Sequence, residues 1–109
     1  MGPPTIDEGK LRELSRRIAS AVRPQRIILF GSAARGELTP DSDLDVLVVM
    51  LDGIHRGRTA QDIYRKLWGF GFATDVVVVT EGDIGRYRDD PFLVIKNALE
   101  EGRELFRAA

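Results

Sequence analysis

Asp43 and Asp45, one residue apart, open an apolar run through Val46-Leu47-Val48-Val49, and a Gly31-Ser32 pair lies upstream with ten residues between Ser32 and Asp43. Residues two apart on a strand point to one face, with Cα atoms roughly 6.5–7 Å apart. Two carboxylates held about 4 Å apart repel by about 4 kcal/mol at an effective dielectric of about 20, so such a pair calls for a cation between them. Magnesium suits it, being a hard ion that takes oxygen ligands and shares its remaining positions with phosphate oxygens and water. Gly31 lets backbone approach a phosphate without a Cβ in the way. The Ser32 hydroxyl, with the N–H groups of a following helix, can bond phosphate oxygens. Taken singly, Asp-x-Asp is a turn and Gly-Ser a helix cap. Their coupling points to a nucleotide–metal site.

Asp75 is a third candidate. It opens the valine run 76–79, near the entrance of a strand expected to neighbour the one after Asp43. An aspartate at a strand start, in the turn after Gly71, is the plainer alternative, and the residues alone leave both open. His55, the only histidine, reads as a loop residue. Ser32 has no histidine or lysine base placed for it, which argues against a serine nucleophile.

The elements that must position these residues follow from periodicity. Leu11, Leu14, Ile18 and Val22 recur at helical spacing, giving an amphipathic helix over 7–22 that Pro24 stops. Residues 26–30 read as a short buried strand, 33–38 as a short helix, and Pro40-Asp41-Ser42 as a turn. Residues 44–51 are apolar on both faces and therefore an interior strand. A Gly/Arg/His loop (52–58) leads to a helix over 59–68 that buries Ile63, Leu67 and Trp68 and breaks at Gly69 and Gly71. Residues 75–80 form a third strand, again expected to be buried on both faces, and 81–90 a polar loop. Phe92, Ile95 and Leu99 mark a last helix ending at Gly102, after which Leu105-Phe106 is a tail that packs. A two- or three-layer α/β fold with a small mixed sheet follows.

Composition narrows the partners. A chain of 109 residues is expected to be one domain, spanning 1–109, with one modest core. A net charge of −1 argues against direct nucleic-acid binding, and the arginine clusters read as solvated helix faces. There is no membrane span and no hydrophobic signal region, so the expected location is cytoplasmic. The absence of cysteine removes disulfides and thiolate metal sites. Phe92-Leu93-Val94-Ile95 puts four apolar residues in a row on a helix, which either the sheet or a partner must cover, and a homo-oligomer stays open.

The Gly-Ser-x10-Asp-x-Asp spacing resembles the signature of the polymerase-β-like nucleotidyltransferase superfamily. The short chain around it resembles the minimal nucleotidyltransferases that act as MNT-type antitoxins beside HEPN-domain toxins. The resemblance implies a small nucleotidyltransferase fold: a short mixed central sheet flanked by helices, with the acids at one end. It implies that Asp43, Asp45 and Asp75 hold two magnesium ions, with Asp75 also helping to deprotonate the attacking hydroxyl. Gly31 and Ser32 would bind the triphosphate. Arg35 and Gly36 follow the family's Gly-Ser-x-x-Arg-Gly pattern, so Arg35 either steadies a phosphate or pairs with a nearby acid. The implied reaction moves AMP from ATP to a hydroxyl, on a tyrosine of a HEPN-type toxin. Two other readings stand beside it: an antitoxin that binds nucleotide and neutralises its partner by occlusion, and transfer to a small molecule.

Overall fold

The computed structural model describes residues 7–37, 42–90 and 94–109. Its order is α1 (Glu8–Ala21), β1 (Arg26–Phe30), α2 (Gly31–Ala34), β2 (Leu44–Met50), α3 (Arg56–Lys66), β3 (Thr74–Thr80), α4 (Glu81–Tyr87), α5 (Val94–Glu101) and β4 (Arg103–Arg107). The strands form one mixed sheet in the order β3-β2-β1-β4. The β2–β3 pair is parallel, with α3 as the crossover between them, whereas β1 runs antiparallel to both its neighbours.

The alternation along β2 divides the core in two. Leu44, Val46, Val48 and Met50 pack with Leu11, Leu14, Ile18, Ile63 and Phe70, beneath α1 and α3. Leu47 and Val49 point the other way, to Ile84, Ile95 and Ala98 of α4 and α5. Helices thus cover both faces and β2 is interior, as its unbroken apolar run requires. Asp45 shares the second face with Leu47 and Val49, which places it on the side of α4 and α5.

Several expectations need correction. The short helix begins at Gly31 rather than residue 33 and is a single turn. Leu38, Pro40 and Asp41, like Phe92 and Leu93, lie outside the described residues. Of the apolar quartet, Val94 is exposed and Ile95 buried. The loop after β2 is shorter than 52–58, because His55 caps α3 by accepting the Arg58 N–H at 3.1 Å on Nδ1. Trp68 is 88% exposed. It falls just past the end of α3, where helical spacing no longer dictates direction, and Phe70 takes the core position instead, fully buried. The Phe70 carbonyl accepts from Lys10 Nζ at 2.7 Å, tying that turn to α1.

The third strand is not buried on both faces: Val77 and Val78 are half-buried, because β3 lies at the sheet edge and has one neighbour. The expected Leu105-Phe106 tail is β4, which pairs with β1 through a bulge at Ile27/Ile28.

Residues 81–90 hold a helix, α4, in place of the expected loop. Its start is a capping box: Thr80 Oγ1 accepts the Asp83 N–H at 3.1 Å while Asp83 Oδ2 accepts the Thr80 N–H at 3.0 Å. Arg56 grips the same carboxylate, with Nη2 at 2.8 Å from Oδ1 and 2.7 Å from Oδ2. The Arg56 hydrogen bond is the main cause holding the Asp83 carboxyl below its usual range, with the Thr80 bonds adding to it. A carboxylate lowered in the folded state stabilises the fold at pH above its ordinary value, and that contribution disappears as pH falls through the lowered one. Asp83→Asn should therefore cost about 2 kcal/mol in denaturant unfolding at neutral pH. The gap from the parent protein should close on acidification; a pH-independent gap would contradict this account.

Candidate active site

The three aspartates meet at one edge of the sheet. β1 ends at Phe30, which lies opposite Asp45 in the antiparallel register, and on its other side Asp45 lies beside Asp75 in the parallel register. Side chains in register on adjacent strands share a face, and their strands lie about 4.8 Å apart. Asp43 stands one residue ahead of β2 and is exposed, as is Asp75, whereas Asp45 is half-buried. Sequence spacing alone brought Asp43 and Asp45 together; the fold adds Asp75.

Burial is the first cause raising the Asp45 carboxyl above its usual range, followed by the charges of Asp75 and then Asp43. A carboxylate raised in the folded state contributes most below its ordinary value, and loses that contribution as pH rises through the raised one. At neutral pH the ionised Asp45 therefore costs the nucleotide-free fold stability. Such a charge is tolerated where function needs it.

Gly31 turns the chain from β1 into α2 at a φ of +73°, a conformation that L side chains rarely adopt. It also presses on the aspartate: a Cβ there would collide with Asp45 Oδ2 and stand 3.3 Å from its Cγ. The glycine and the central acid are thus a packed pair. The backbone after Gly31 curls tightly, with Glu37 N–H donating to Ser32 O at 2.8 Å. The Ser32 hydroxyl makes no hydrogen bond among the described residues.

Arg35 is engaged with acids, with Nε at 3.1 Å from Glu37 Oε2 and Nη1 at 3.8 Å from Glu101 Oε2. All three side chains are about half exposed, and pairs of that kind are weak enough to exchange for a better anion.

One supporting residue escaped the sequence reading. Tyr64 on α3 accepts the Val76 N–H on its hydroxyl at 2.9 Å, which anchors the outer edge of β3 one residue beyond Asp75. The two are twelve positions apart with no shared motif, so nothing in the spacing announces the contact.

The donor set can be tested for a hard divalent cation. Among the described residues no three His, Cys, Asp or Glu side chains close into a metal cage. The chemistry still fits: the donors are all carboxylate oxygens, and the central one is raised by burial and then by the charges of its two neighbours, a repulsion that a cation would relieve. The missing Cβ of Gly31 is what lets the Asp45 carboxylate pack against the turn.

Residues 11–105 match the family model described as nucleotidyltransferase domain, a span containing Gly31, Ser32, Arg35, Asp43, Asp45 and Asp75. The chain is 30% identical over 102 residues to "Putative protein adenylyltransferase MJ0604" of Methanocaldococcus jannaschii, covering 92% of this chain and 98% of that one. The fold resembles a crystal structure of a putative nucleotidyltransferase from Sulfolobus solfataricus, with a TM-score of 0.61 and 20% identity over 91% of this chain and 78% of that one. It also resembles a chain in the complex of a tri-AMPylated Shewanella oneidensis HEPN toxin with its MNT antitoxin. That match has a TM-score of 0.55 and 19% identity, over 94% of this chain and 74% of the other.

Proposed function

This chain belongs to the nucleotidyltransferase domain family, and we propose that it transfers AMP from ATP to a hydroxyl of a partner protein, a tyrosine of a HEPN-type toxin, as an antitoxin. The observation that carries the reading is the adjacency of Asp45 and Asp75 in register, with Gly31 seated on Asp45. Asp43, Asp45 and Asp75 would hold magnesium, two ions in the resemblance drawn from the sequence. Bound there, such a metal would supply charge neutralisation for the triphosphate and acidify the attacking hydroxyl.

The chain's own groups do the rest. Gly31 admits the phosphates to the edge of the sheet, and the unbonded Ser32 hydroxyl donates to one of their oxygens. Arg35 exchanges Glu37 and Glu101 for phosphate oxygen. The acceptor oxygen attacks the α-phosphorus in line, the bond to the bridging oxygen breaks, and pyrophosphate leaves. The hydroxyl proton passes to the Asp75 carboxylate and on to water.

The acceptor rests on relatives. The Methanocaldococcus protein, which this chain matches end to end, is named for transfer to protein. The Shewanella complex of like fold contains an AMPylated HEPN toxin. No helix among the described residues is long and apolar enough to cross a membrane.

Nucleotide binding is testable without any acceptor. A ligand at about 100 times its Kd stabilises a fold by about 2.7 kcal/mol, equivalent to about 10 °C in a domain of this size. MgATP should raise the melting temperature by that order, ATP without magnesium should do much less, and Asp45→Asn with Asp75→Asn should lose the response. An equal rise in the double variant would contradict the site.

A further inference from the structure

Outside the carboxylate edge, the strongest feature is a cationic and aromatic face on α3. Trp68, the chain's only tryptophan, is 88% exposed and Tyr64 is 44% exposed. Gln61, Tyr64, Arg65 and Trp68 line an open concavity of about 550 Å³. Tyr64 and Trp68 also border a second, of about 360 Å³, which follows residues 69–72 to Thr74. Thr74 precedes Asp75 in β3 but lies on the opposite face of the sheet, so this groove starts on α3 and ends at the start of β3, one residue from the proposed catalytic edge.

The groove is held in shape. Arg17 Nη1 donates to the Trp68 carbonyl at 2.8 Å and to the Lys66 carbonyl at 3.0 Å, so the tryptophan projects from tethered backbone. A large aromatic on a fixed backbone suits a binding anchor, because less of the chain must be ordered on binding. α3 carries Arg56, Arg58, Arg65 and Lys66 against one acid, Asp62. Arg58, at helical spacing from Arg65, makes no ion pair among the described residues. Arg65 pairs with Asp62 at 3.0 Å, both well exposed, a bond that a competing carboxylate can displace.

We propose that this groove seats an acidic segment of the acceptor protein. An apolar side chain of that segment fills the space between Tyr64 and Trp68, and its carboxylates meet Arg58 and Arg65. The charges of Asp43, Asp45 and Asp75 repel the segment from the site itself, so it lies on α3 while the neutral acceptor hydroxyl passes round the start of β3 to Asp75. This deepens the proposed function and rests on the acceptor being a protein.

The test uses the full chain carrying Asp45→Asn, titrated with a purified HEPN-type toxin and followed by the emission of Trp68, with a Trp68→Phe variant as background. Docking should move the emission to shorter wavelength and shield it from acrylamide, with affinity falling as salt rises. Arg58→Glu with Arg65→Glu should weaken binding about tenfold or more. Trp68→Ala in the otherwise native chain should raise the acceptor KM about tenfold without altering the MgATP-induced rise in melting temperature. Transfer to the toxin with unchanged emission, or with an unchanged KM in Trp68→Ala, would overturn the docking site alone. No transfer by the native chain despite MgATP stabilisation would overturn the protein acceptor, and the docking site with it.

Discussion

Asp45→Asn should cut nucleotidyl transfer by at least about 10³-fold, about 4 kcal/mol of transition-state stabilisation, while raising the thermal stability of the nucleotide-free protein. The two effects share one cause. Asp45 is the half-buried member of the set, beside Asp75 in register and two residues from Asp43. Burial and both neighbouring charges penalise its ionised form. Asparagine keeps the shape and removes the charge, so the crowding relaxes by something on the order of 1 kcal/mol, about 4 °C in midpoint. The same change removes the ligand that faces both other acids. Differential scanning calorimetry and single-turnover transfer on one preparation would check both signs. Loss of stability with asparagine would contradict the assigned strain, and retained transfer would contradict the assigned role.

Gly31→Ala carries the second large effect. Alanine at a φ of +73° costs about 1–2 kcal/mol from backbone strain alone. Its Cβ would also displace the Asp45 carboxylate. A displacement of about 1 Å at a reacting centre lowers rates by about 10²-fold, so transfer should fall by that order beyond the loss of stability. Gly53 provides the control, because its φ is +92° and no neighbouring atom lies within 4 Å of an added Cβ. Gly53→Ala should share the stability cost and keep the transfer rate. Equal rates in the two variants would show that the contact with Asp45 has no role.

Sequence revealed most where chemistry and periodicity coincide. The β1 span 26–30 was legible because an apolar run ends at a glycine that only a turn can use. The interior position of β2 was legible because both its faces are apolar. The adjacency of Asp75 to Asp45 followed from two valine-rich strands flanking one helix, although the register that aligns them did not. Elsewhere tertiary context decided. Thr80-Glu81-Gly82-Asp83 carries a capping-box signal, yet Gly82 and Gly85 disrupt the apolar period that would announce α4. β4 has charged residues at both ends and gains its identity only by pairing with β1. Strand exposure in β3 depends on sheet order, and Trp68 on where α3 stops, neither of which periodicity encodes.

The most direct test of the central claim is transfer of α-labelled ATP, with magnesium, to a HEPN-type toxin, located by mass on the modified peptide. The account predicts AMP on a tyrosine of the toxin, absent with Asp43→Asn/Asp45→Asn, and loss of neutralisation in the same variant. A variant that still neutralises the toxin while leaving it unmodified would contradict the enzymatic account and leave neutralisation by occlusion in its place.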